Sequence, residues 1–189
     1  MADPRKRLGD VRADHVRRYE FAINTLARHG AQRVLDAACG IAYGSKMLAD
    51  AGFQTAGIDI ASAEIAHGLR YFASAADLSV GDILTADLPK FDAVVSFETI
   101  EHIEDDAALL RKFAGLAPLL IASVPNQDGH PFDPKRHPDH VRHYRLQEFE
   151  DLLTGAGYTI REWLSQTNKK GDLKVGRNVC MTMVVVAEQ

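Results

Sequence analysis

The sequence predicts an α/β protein whose doubly wound sheet has five parallel strands and closes with an antiparallel C-terminal hairpin. Two observations predict this fold class. Short apolar runs alternate with segments of helical periodicity, which is the pattern of a parallel sheet covered by helices. The segment 166–178 between the last two apolar runs is rich in Lys, Gly and Asn, and it is too short and too polar for a crossover helix. The last two strands are therefore expected to be antiparallel.

Each predicted element follows from a periodicity or an apolar run. In the first helix, Tyr19, Ala22, Ile23 and Leu26 recur at helical spacing, and Gly30 ends it. The predicted helices are residues 13–29, 43–51 and about 62–73, a helix through Ile103, Ala107, Leu110 and Ala114, and a helix through Leu146, Phe149, Leu153 and Ala156. The predicted strands are residues 33–38, 54–60, 78–80, 91–97, 119–124, 158–164 and 180–187. A polar loop rich in Pro and His covers 125–144.

Composition and charge exclude several classes of protein. The 189 residues are 46 % hydrophobic and 25 % charged, which is typical of a globular domain and excludes a disordered or fibrous chain. With 22 Lys plus Arg against 26 Asp plus Glu, the formal net charge of −4 argues against a dedicated nucleic-acid binder. The chain has no apolar run near the ~18 residues of a membrane span and only two cysteines. We therefore expect a single domain over residues 1–189, located in the cytoplasm and not in a membrane.

A glycine-rich turn is expected between the first strand and the second helix. The sequence Asp36-Ala-Ala-Cys-Gly40-Ile-Ala-Tyr-Gly44 has small residues at positions 37, 38, 40 and 42, which let the backbone turn tightly and approach a ligand. The N-terminus of the following helix offers free N–H groups to that ligand. On its own, this pattern also fits a purely structural strand–helix turn.

Three acids follow successive strands, and they strengthen the prediction of a ligand site. Asp36 ends the first strand, where its carboxylate can accept a hydrogen bond from a ligand ammonium group or from the turn amides. Asp59 ends the second strand, at the position where a carboxylate binds ribose hydroxyls. Asp82 follows the third strand and can accept from the exocyclic amine of adenine. All three are expected at the sheet edge where doubly wound folds bind ligands.

Seven segments, in order, resemble one enzyme family over nearly the whole chain. They are RYEFA, VLDAACGIAYGS, GIDIA, VGDIL, FDAVVSFETIEHIED, SVPN and HVRHYRLQEFEDLL. The sequence resembles the class I S-adenosylmethionine-dependent methyltransferases, and this resemblance implies their Rossmann-like sheet and their cofactor. A dehydrogenase is the competing ligand class for such a turn. Asp36 inside the turn, Asp82 and the antiparallel ending disfavour it.

The resemblance also implies which residues bind the cofactor. The segment from Asp36 to Gly44 would hold the methionine part, Asp59 the ribose, and Asp82 with Ile83 the adenine. The full set of expected cofactor-binding residues is Asp36, Ala38, Gly40, Tyr43, Gly44, Asp59, Ile60, Asp82, Ile83 and Phe97. The chain departs from the family at Ala38 and Ala42, where family turns usually carry glycine.

The segment Glu98-Thr-Ile-Glu101-His102 after the fourth strand carries further chemistry. If it starts a helical turn, Glu98, Glu101 and His102 stand at i, i+3 and i+4 and share a face, which makes a cation site. The loop 125–144 adds four histidines, of which His140 is expected to return to this cluster. The pattern resembles the magnesium-binding motif of ubiquinone-pathway O-methyltransferases and the motif of small-RNA 3′-terminal 2′-O-methyltransferases. Mg²⁺ or Mn²⁺ held by Glu98, Glu101, His102 and His140 is therefore one hypothesis.

A metal-free hypothesis stands beside it. Glu98 and Glu101 would line the cofactor pocket and cap the next helix, while His102 or His140 removes a proton as a general base. The candidate catalytic residues are thus His102, His140 and Glu98. Similar strings also occur in broad bacterial groups that act on small molecules and glycans, where a metal is not the rule.

Local charge qualifies the net charge of −4. Residues 1–33 carry eight Lys or Arg against four acids, and Lys135, Arg136, Arg142 and Arg145 add a basic rim to the histidine-rich loop. The basic residues are either a solvated tail or a mouth that prefers an anionic acceptor. The N-terminal helical cap, residues 1–30, and the active-site loop 125–144 are the segments expected to form a lid.

These observations predict methyl transfer from S-adenosylmethionine to a hydroxyl of a small molecule or glycan. After the fourth strand the chain reads Ser96-Phe-Glu-Thr, without the Asn/Asp-Pro-Pro-aromatic box of amino-group methyltransferases, which favours oxygen. Two alternatives remain: a 2′-O-methyltransferase acting on RNA 3′ ends, and a non-catalytic cofactor-binding subunit of a partner enzyme. A homodimer is also compatible with the sequence, because the strand 180–187 fits either the core or an interface.

Overall fold

The computed structural model describes residues 5–72, 75–167 and 171–189. Residues 1–4 of the predicted cap and 168–170 of the predicted linker lie outside the described residues. The strands are β1 Arg33–Ala37, β2 Gln54–Asp59, β3 Asp77–Val80, β4 Ala93–Phe97, β5 Leu119–Pro125, β6 Thr159–Gln166, β7 Leu173–Val175 and β8 Thr182–Glu188. The α-helices are α1 Ala13–Arg28, α2 Tyr43–Asp50, α3 Ser62–Tyr71, α4 Asp106–Leu116 and α5 Leu146–Gly155, with short 3₁₀ turns at Leu8–Asp10 and Ile100–His102.

The eight strands of the described chain form one mixed sheet in the order β3-β2-β1-β4-β5-β8-β6-β7. The first five strands are all parallel, β8 runs antiparallel to β5, and β6 runs antiparallel to β8. The predicted α/β class, with five parallel strands and an antiparallel C-terminal end, is confirmed. The strand order reverses between β1 and β4, and such a switch point opens a crevice at the carboxyl ends of the parallel strands.

The C-terminal end is more elaborate than the predicted hairpin. The linker contains β7, which pairs with the outer edge of β6 through Leu164–Val175 and Gln166–Leu173. The chain then crosses back, and β8 enters the sheet between β5 and β6. A strand of three residues is too short to show a periodic sequence pattern. It is recognised only by its backbone pairing with β6.

Among the boundaries that differ from the prediction, two affect the site. Pro125 is the last residue of β5, so the histidine-rich loop begins at Asn126. The helix after β4 begins at Asp106 instead of Ile103, because the Asp105 carboxylate accepts a hydrogen bond of 2.8 Å from the Ala108 N–H and caps the helix there. The segment between β4 and α4 is thereby left free to form the 3₁₀ turn that carries Glu101 and His102.

Apolar layers cover both faces of the sheet. Neighbouring strand residues point to opposite faces, so Leu35 packs under α4 and α5 while Val34 packs under α1 and α2. Tyr19 and Leu26 of α1 belong to the second layer, which holds α1 across the sheet near the switch point. Among the described residues, no helix has the length and apolar character needed to cross a membrane.

Candidate active site

The turn after β1 alternates between ordinary and left-handed backbone. Ala38, Gly40 and Ala42 have φ angles of 57°, 54° and 61°. Two alanines thus occupy left-handed positions, where glycine has no steric penalty. Backbone hydrogen bonds hold this conformation, from Cys39 N–H to Ile58 O at 3.0 Å and from Ala42 N–H to Cys39 O at 3.0 Å.

Asp36 braces this turn from beneath. Its buried carboxylate accepts hydrogen bonds from the hydroxyl groups of Tyr19, at 2.9 Å, and Ser45, at 2.6 Å. Burial raises the pKa of Asp36 to about 6, although both hydroxyl donors act in the opposite direction. Gly44 completes the arrangement, because a Cβ there would lie 1.9 Å from Cζ of Tyr19. The protein's own groups therefore engage the Asp36 carboxylate.

A small hollow lies beside the other two acids. It has a volume of about 80 Å³ and is lined by Ala38, Ile58, Asp59, Ile60, Gly81, Asp82, Ile83, Thr99 and Ile103. Asp59 accepts a hydrogen bond of 2.8 Å from the Gly40 N–H, and Asp82 accepts one of 2.9 Å from the Leu84 N–H. Ile60 is 73 % exposed at the rim. An exposed apolar side chain beside fixed carboxylates fits a flat ring with polar substituents, as in the adenosine of the expected cofactor.

The turn after β1 and the hollow beside Asp59 and Asp82 together form the expected cofactor edge. Aromatic side chains at this edge pack against helix α1. The Tyr19 ring makes edge contacts with Tyr43 at 5.5 Å and with Phe97 at 5.0 Å between centroids. The Tyr43 hydroxyl lies 3.1 Å from Nδ1 of His15, and burial raises the pKa of Tyr43 to about 12. Tyr43 and Phe97 are both half-buried.

The expected shared helix face of Glu98, Glu101 and His102 is wrong. Glu98 has a left-handed backbone, with φ of 52°, and precedes the 3₁₀ turn that contains the other two residues. Its carboxylate is held instead by the Ser123 hydroxyl at 2.8 Å and the Arg18 guanidinium at 3.1 Å. The chain direction therefore changes between Glu98 and Glu101.

Glu101, His102 and His140 do come together. Their potential ligand atoms all lie within 4.8 Å of one another, and Glu98 is not part of this group. Glu101 is fully buried, and neither of its carboxylate oxygens has a hydrogen-bond partner within the described residues. Burial, followed by repulsion from Glu98, raises the pKa of Glu101 well above its usual range. A buried carboxylate without donors fits either a bound cation or a retained proton.

Hydrogen bonds fix which histidine nitrogens carry protons. Nδ1 of His143 lies 2.6 Å from the carbonyl oxygen of His130 and must donate to it, so Nε2 of His143 accepts from Nδ1 of His140 at 2.9 Å. Nδ1 of His102 likewise donates to the carbonyl oxygen of Asp139 at 2.8 Å. In the neutral form of either ring, the proton is therefore on Nδ1 and Nε2 has the lone pair, which suits a base or a metal ligand.

Three histidines of the loop have pKa values below the ordinary value. Burial, followed by repulsion from His102 and His143, lowers the pKa of His140 to about 4. Burial also lowers the pKa values of His130 and His143. The rings of His130, His137, His140 and His143 pack with centroid separations between 4.7 and 5.3 Å. Such close packing, together with the lowered pKa values, favours the neutral form of His130, His140 and His143.

A second cavity, of about 300 Å³, adjoins the histidines on the α1 side. Its lining brings together side chains from α1, the end of β4, the histidine-rich loop and the β6–β8 pair: Arg12, Asp14, His15, Arg18, Glu98, His130, His137, His140, Gln166, Met181 and Thr182. Because Glu98 and His140 line this cavity close to the cofactor edge, it is the candidate acceptor site.

Sequence reasoning missed the residues that complete this cavity. Arg18 was counted with the basic tail, yet its side chain is only 2 % exposed and pairs with Glu98. Gln166 was assigned to a polar linker, yet it ends β6 and is buried. The signal for Arg18 was its place next to Tyr19 on the apolar face of α1. Nothing in the local sequence marks Gln166.

Comparisons with known proteins give the family of the chain. Residues 6–162 match the family described as "Methyltransferase domain". A probable S-adenosylmethionine-dependent methyltransferase of Mycolicibacterium smegmatis is 34 % identical over 158 residues, which is 78 % of this chain and 60 % of that protein. A ubiquinone biosynthesis O-methyltransferase of Bordetella bronchiseptica is 32 % identical over 121 residues, which is 61 % of this chain and 50 % of that protein. The chain thus spans between half and two thirds of the length of these two relatives.

A solved structure shows the same fold. Magnesium protoporphyrin IX methyltransferase from Synechocystis PCC 6803 with bound SAH superposes with a TM-score of 0.75, at 20 % identity, over 99 % of this chain and 89 % of that one. The sheet order, the turn after β1 and the sequence match point to the same family. By sequence and by fold, the chain belongs to the class I S-adenosylmethionine-dependent methyltransferases.

Proposed function

We propose that the protein transfers a methyl group from S-adenosylmethionine to a hydroxyl oxygen of a small acceptor molecule. The observation that carries this proposal is that Nδ1 of His102 and Nδ1 of His140 are each engaged in a hydrogen bond within the protein, which in the neutral rings leaves Nε2 to accept a proton. His140 lines the acceptor cavity, so a base faces the space where a hydroxyl would bind. The similarity to a ubiquinone biosynthesis O-methyltransferase also favours oxygen as the acceptor atom.

The residues of the cofactor edge fit S-adenosylmethionine. The left-handed residues of the turn from Ala38 to Ala42 include Ala38 at the hollow beside Asp59, Ile60 and Asp82, where the adenosine would lie. When bound, this cofactor supplies an electrophilic methyl group. Tyr43 and Phe97, which pack against the Tyr19 ring, would help to exclude water from the transfer.

Two ways of removing the hydroxyl proton remain. In the first, Nε2 of His140 or His102 accepts the proton directly. In the second, Glu101, His102 and His140 hold a divalent cation such as Mg²⁺ or Mn²⁺, which would lower the pKa of an acceptor hydroxyl. The unpartnered oxygens of buried Glu101 fit the second way, since a cation would satisfy them. Glu98 then acts by holding Arg18 and not as a cation ligand.

Ion pairing favours a small acceptor over an RNA end. In and just before α1, Arg7 pairs with Asp10, Arg12 with Asp14 and Arg17 with Glu20. On the loop rim, three of the four basic residues are paired in the same way, Arg136 with Asp133, Arg142 with Glu104 and Asp106, and Arg145 with Asp128 and Glu148. Basic residues already neutralised by acids offer little field to a phosphate backbone.

Calorimetry tests the proposal in two steps. S-adenosylhomocysteine is titrated first, and Mg²⁺ and Mn²⁺ are then titrated into the saturated protein. Saturable metal binding that His140→Ala abolishes would support the cation site. His29→Ala is the matched control, because His29 pairs with Glu188 at the opposite edge of the sheet. Metal binding retained in His140→Ala, or absent at millimolar metal, would leave the histidine base as the mechanism.

Transfer of a labelled methyl group then identifies the acceptor class. Catechols, sugars and RNA 3′ ends are offered in parallel to the wild type and to His140→Ala. Turnover of a small hydroxyl compound that falls at least 100-fold in the variant supports the proposal. Turnover of RNA alone would establish the RNA alternative. Binding of S-adenosylhomocysteine without turnover of any acceptor would favour the non-catalytic subunit.

A further inference from the structure

His140 reaches the active site from a loop that is distant in the chain from Glu101 and His102. The two sequence neighbours of His140 are hydrogen-bonded to the turn that carries those residues. Val141 donates its backbone N–H to the carbonyl oxygen of Glu101 at 2.8 Å, and Nδ1 of His102 donates to the carbonyl oxygen of Asp139 at 2.8 Å. The rings of His102 and His140 meet edge to face, with centroids 4.5 Å apart. The position of His140 therefore depends on how the loop is attached to this turn.

Side chains attach the same part of the loop to the start of α4. Nη1 of Arg142 donates to the Asp106 carboxylate, and Nη2 of Arg142 donates to the carbonyl oxygen of Glu104 at 3.0 Å. The Tyr144 hydroxyl donates to the same carboxylate oxygen of Asp106 at 2.8 Å. Two loop side chains thus meet on one carboxylate at the first residue of α4. We call the pair Arg142 and Asp106 the clamp.

The clamp differs from the ion pairs on the loop rim. The side chains of Arg142 and Asp106 are 33 % and 14 % exposed, whereas the Arg145 side chain is 59 % exposed and lies 3.4 Å from Asp128. A partly buried pair is screened less by water and salt than an exposed one. The planar guanidinium also presents fixed donors to two acceptors, whereas a lysine ammonium is a single point charge. The clamp therefore holds the loop more firmly than the pairs of Arg145 do.

We propose that Arg142 and Asp106 position His140 in the active site. Arg142 closely follows His140 in the chain, so a loop that leaves α4 carries His140 with it. The potential ligand atoms of Glu101, His102 and His140 would then separate beyond the 4.8 Å within which they now lie. Loss of this geometry slows proton removal by a base and weakens a cation site alike. This inference rests on the proposed function and adds two positioning residues to it.

Histidine NMR and hydrogen exchange measure this positioning without an acceptor. Both are recorded on protein saturated with S-adenosylhomocysteine, at about pH 8.5, where an imidazole is ordinarily neutral. In the wild type we expect His102 to carry its proton on Nδ1, as its hydrogen bond to Asp139 requires. Arg142→Met removes both donors of the clamp, so the two tautomers of His102 should mix. In the same variant, exchange of the Val141 N–H should become at least about tenfold faster, because the loop opens more often.

Steady-state kinetics tests the consequence for catalysis, with the hydroxyl compound that labelled methyl transfer identifies. In Arg142→Met, kcat should fall about 10- to 100-fold, as for other residues that orient a functional histidine. The affinity for S-adenosylhomocysteine should not change, because the clamp residues do not line the cofactor hollow. Arg142→Lys keeps a charge for Asp106 but not the planar pair of donors, so its kcat should be intermediate. Arg145→Met makes the matched change on the exposed rim and should leave every measurement unchanged.

Each outcome has a defined meaning. A cavity of about 370 Å³ beside the clamp lets water reach it, so we expect the variants to fold, which thermal unfolding checks. An unchanged His102 tautomer and Val141 exchange rate in folded Arg142→Met overturn the inference, and Arg142→Lys decides in the same way if Arg142→Met does not fold. Altered NMR and exchange with an unchanged kcat overturn the catalytic role of the clamp. Methyl transfer to no acceptor by the wild type overturns the proposed function itself, so the two failures are distinguishable.

Discussion

His143 sets the protonation of His140 through a hydrogen bond of 2.9 Å between Nε2 of His143 and Nδ1 of His140. The direction of this bond follows from the carbonyl oxygen of His130, which forces Nδ1 of His143 to donate. A catalytic or ligating Nε2 on His140 thus depends on a residue that need not contact the substrate. His143 is a positioning residue in this arrangement.

Replacing His143 should allow the proton of neutral His140 to occupy either ring nitrogen. We expect long-range ¹H–¹⁵N NMR of the wild type at pH 7 to show His140 neutral with its proton on Nδ1. In His143→Ala the two tautomers should mix, and activity should fall about 10- to 100-fold, as for other residues that orient a functional histidine. His130→Ala is the control, because it keeps the backbone carbonyl. A proton on Nε2 of His140 in the wild type would contradict this account.

Removing the Glu98 carboxylate should destabilise the protein, because the buried Arg18 guanidinium loses its ion-pair partner. The Arg18 side chain is 2 % exposed and Glu98 is its ion-pair partner. Glu98→Ala should lower the free energy of unfolding by about 3 kcal/mol, because a buried charge is left unpaired. In an Arg18→Met background the same change should cost less than about 1 kcal/mol. Urea unfolding of the four proteins measures both values, and equal costs in the two backgrounds would refute the coupling.

Gly44→Ala should destabilise the protein when residue 19 is Tyr and stabilise it when residue 19 is Ala. In Gly44→Ala the new Cβ would lie 1.9 Å from Cζ of Tyr19, so the ring must leave Asp36 and stability should fall by about 2 kcal/mol. In a Tyr19→Ala background the clash is absent. Alanine then stabilises α2 by up to about 1 kcal/mol, because it forms helix better than glycine. Thermal unfolding of the four proteins tests the sign, and destabilisation of the same size in both backgrounds would count against it.

Stability should depend on the protonation of His15. Burial, followed by repulsion from Arg18, lowers the pKa of His15 to about 4, from an ordinary value of 6.5. Between these two pH values the unfolded chain binds a proton that the folded protein does not, so stability is lost as the pH falls from about 6.5 to about 4. His15→Gln cannot titrate. The free energy of unfolding of the wild type should therefore fall relative to that of His15→Gln over this window, as measured by urea unfolding at several pH values. If the difference in free energy of unfolding between the wild type and His15→Gln does not change with pH, protonation of His15 does not control stability.

The elements whose evidence is local could be predicted from the sequence. The five parallel strands are short apolar runs, and their order along the chain implies the crevice at their carboxyl ends. The three acids Asp36, Asp59 and Asp82 follow those strands directly, so their placement at one edge needed no knowledge of distant contacts. The assignment of individual cofactor contacts stays a prediction.

The features that depend on contacts between distant segments could not be predicted. Arg18 lies on the apolar face of α1, but the sequence does not show that Glu98 approaches from the end of β4 to pair with it. Glu98 itself was placed on a helix face, because a left-handed residue before a 3₁₀ turn leaves no periodic trace. The Gln166 amide is held by the carbonyl oxygens of Asp14 in α1 and of Gly171 between β6 and β7. The sequence does not show that α1 and the end of β6 are in contact.

The position of β8 has a consequence for the order in which the protein can assemble. Because β8 lies between β5 and β6, β6 and β7 have no neighbour in the parallel sheet until β8 has left the ribosome. The cofactor turn and the five parallel strands are complete after Pro125, whereas Gln166 reaches the acceptor cavity only when β8 is inserted. During synthesis, the capacity to bind the methyl donor should therefore precede the capacity to select the molecule that receives the methyl group.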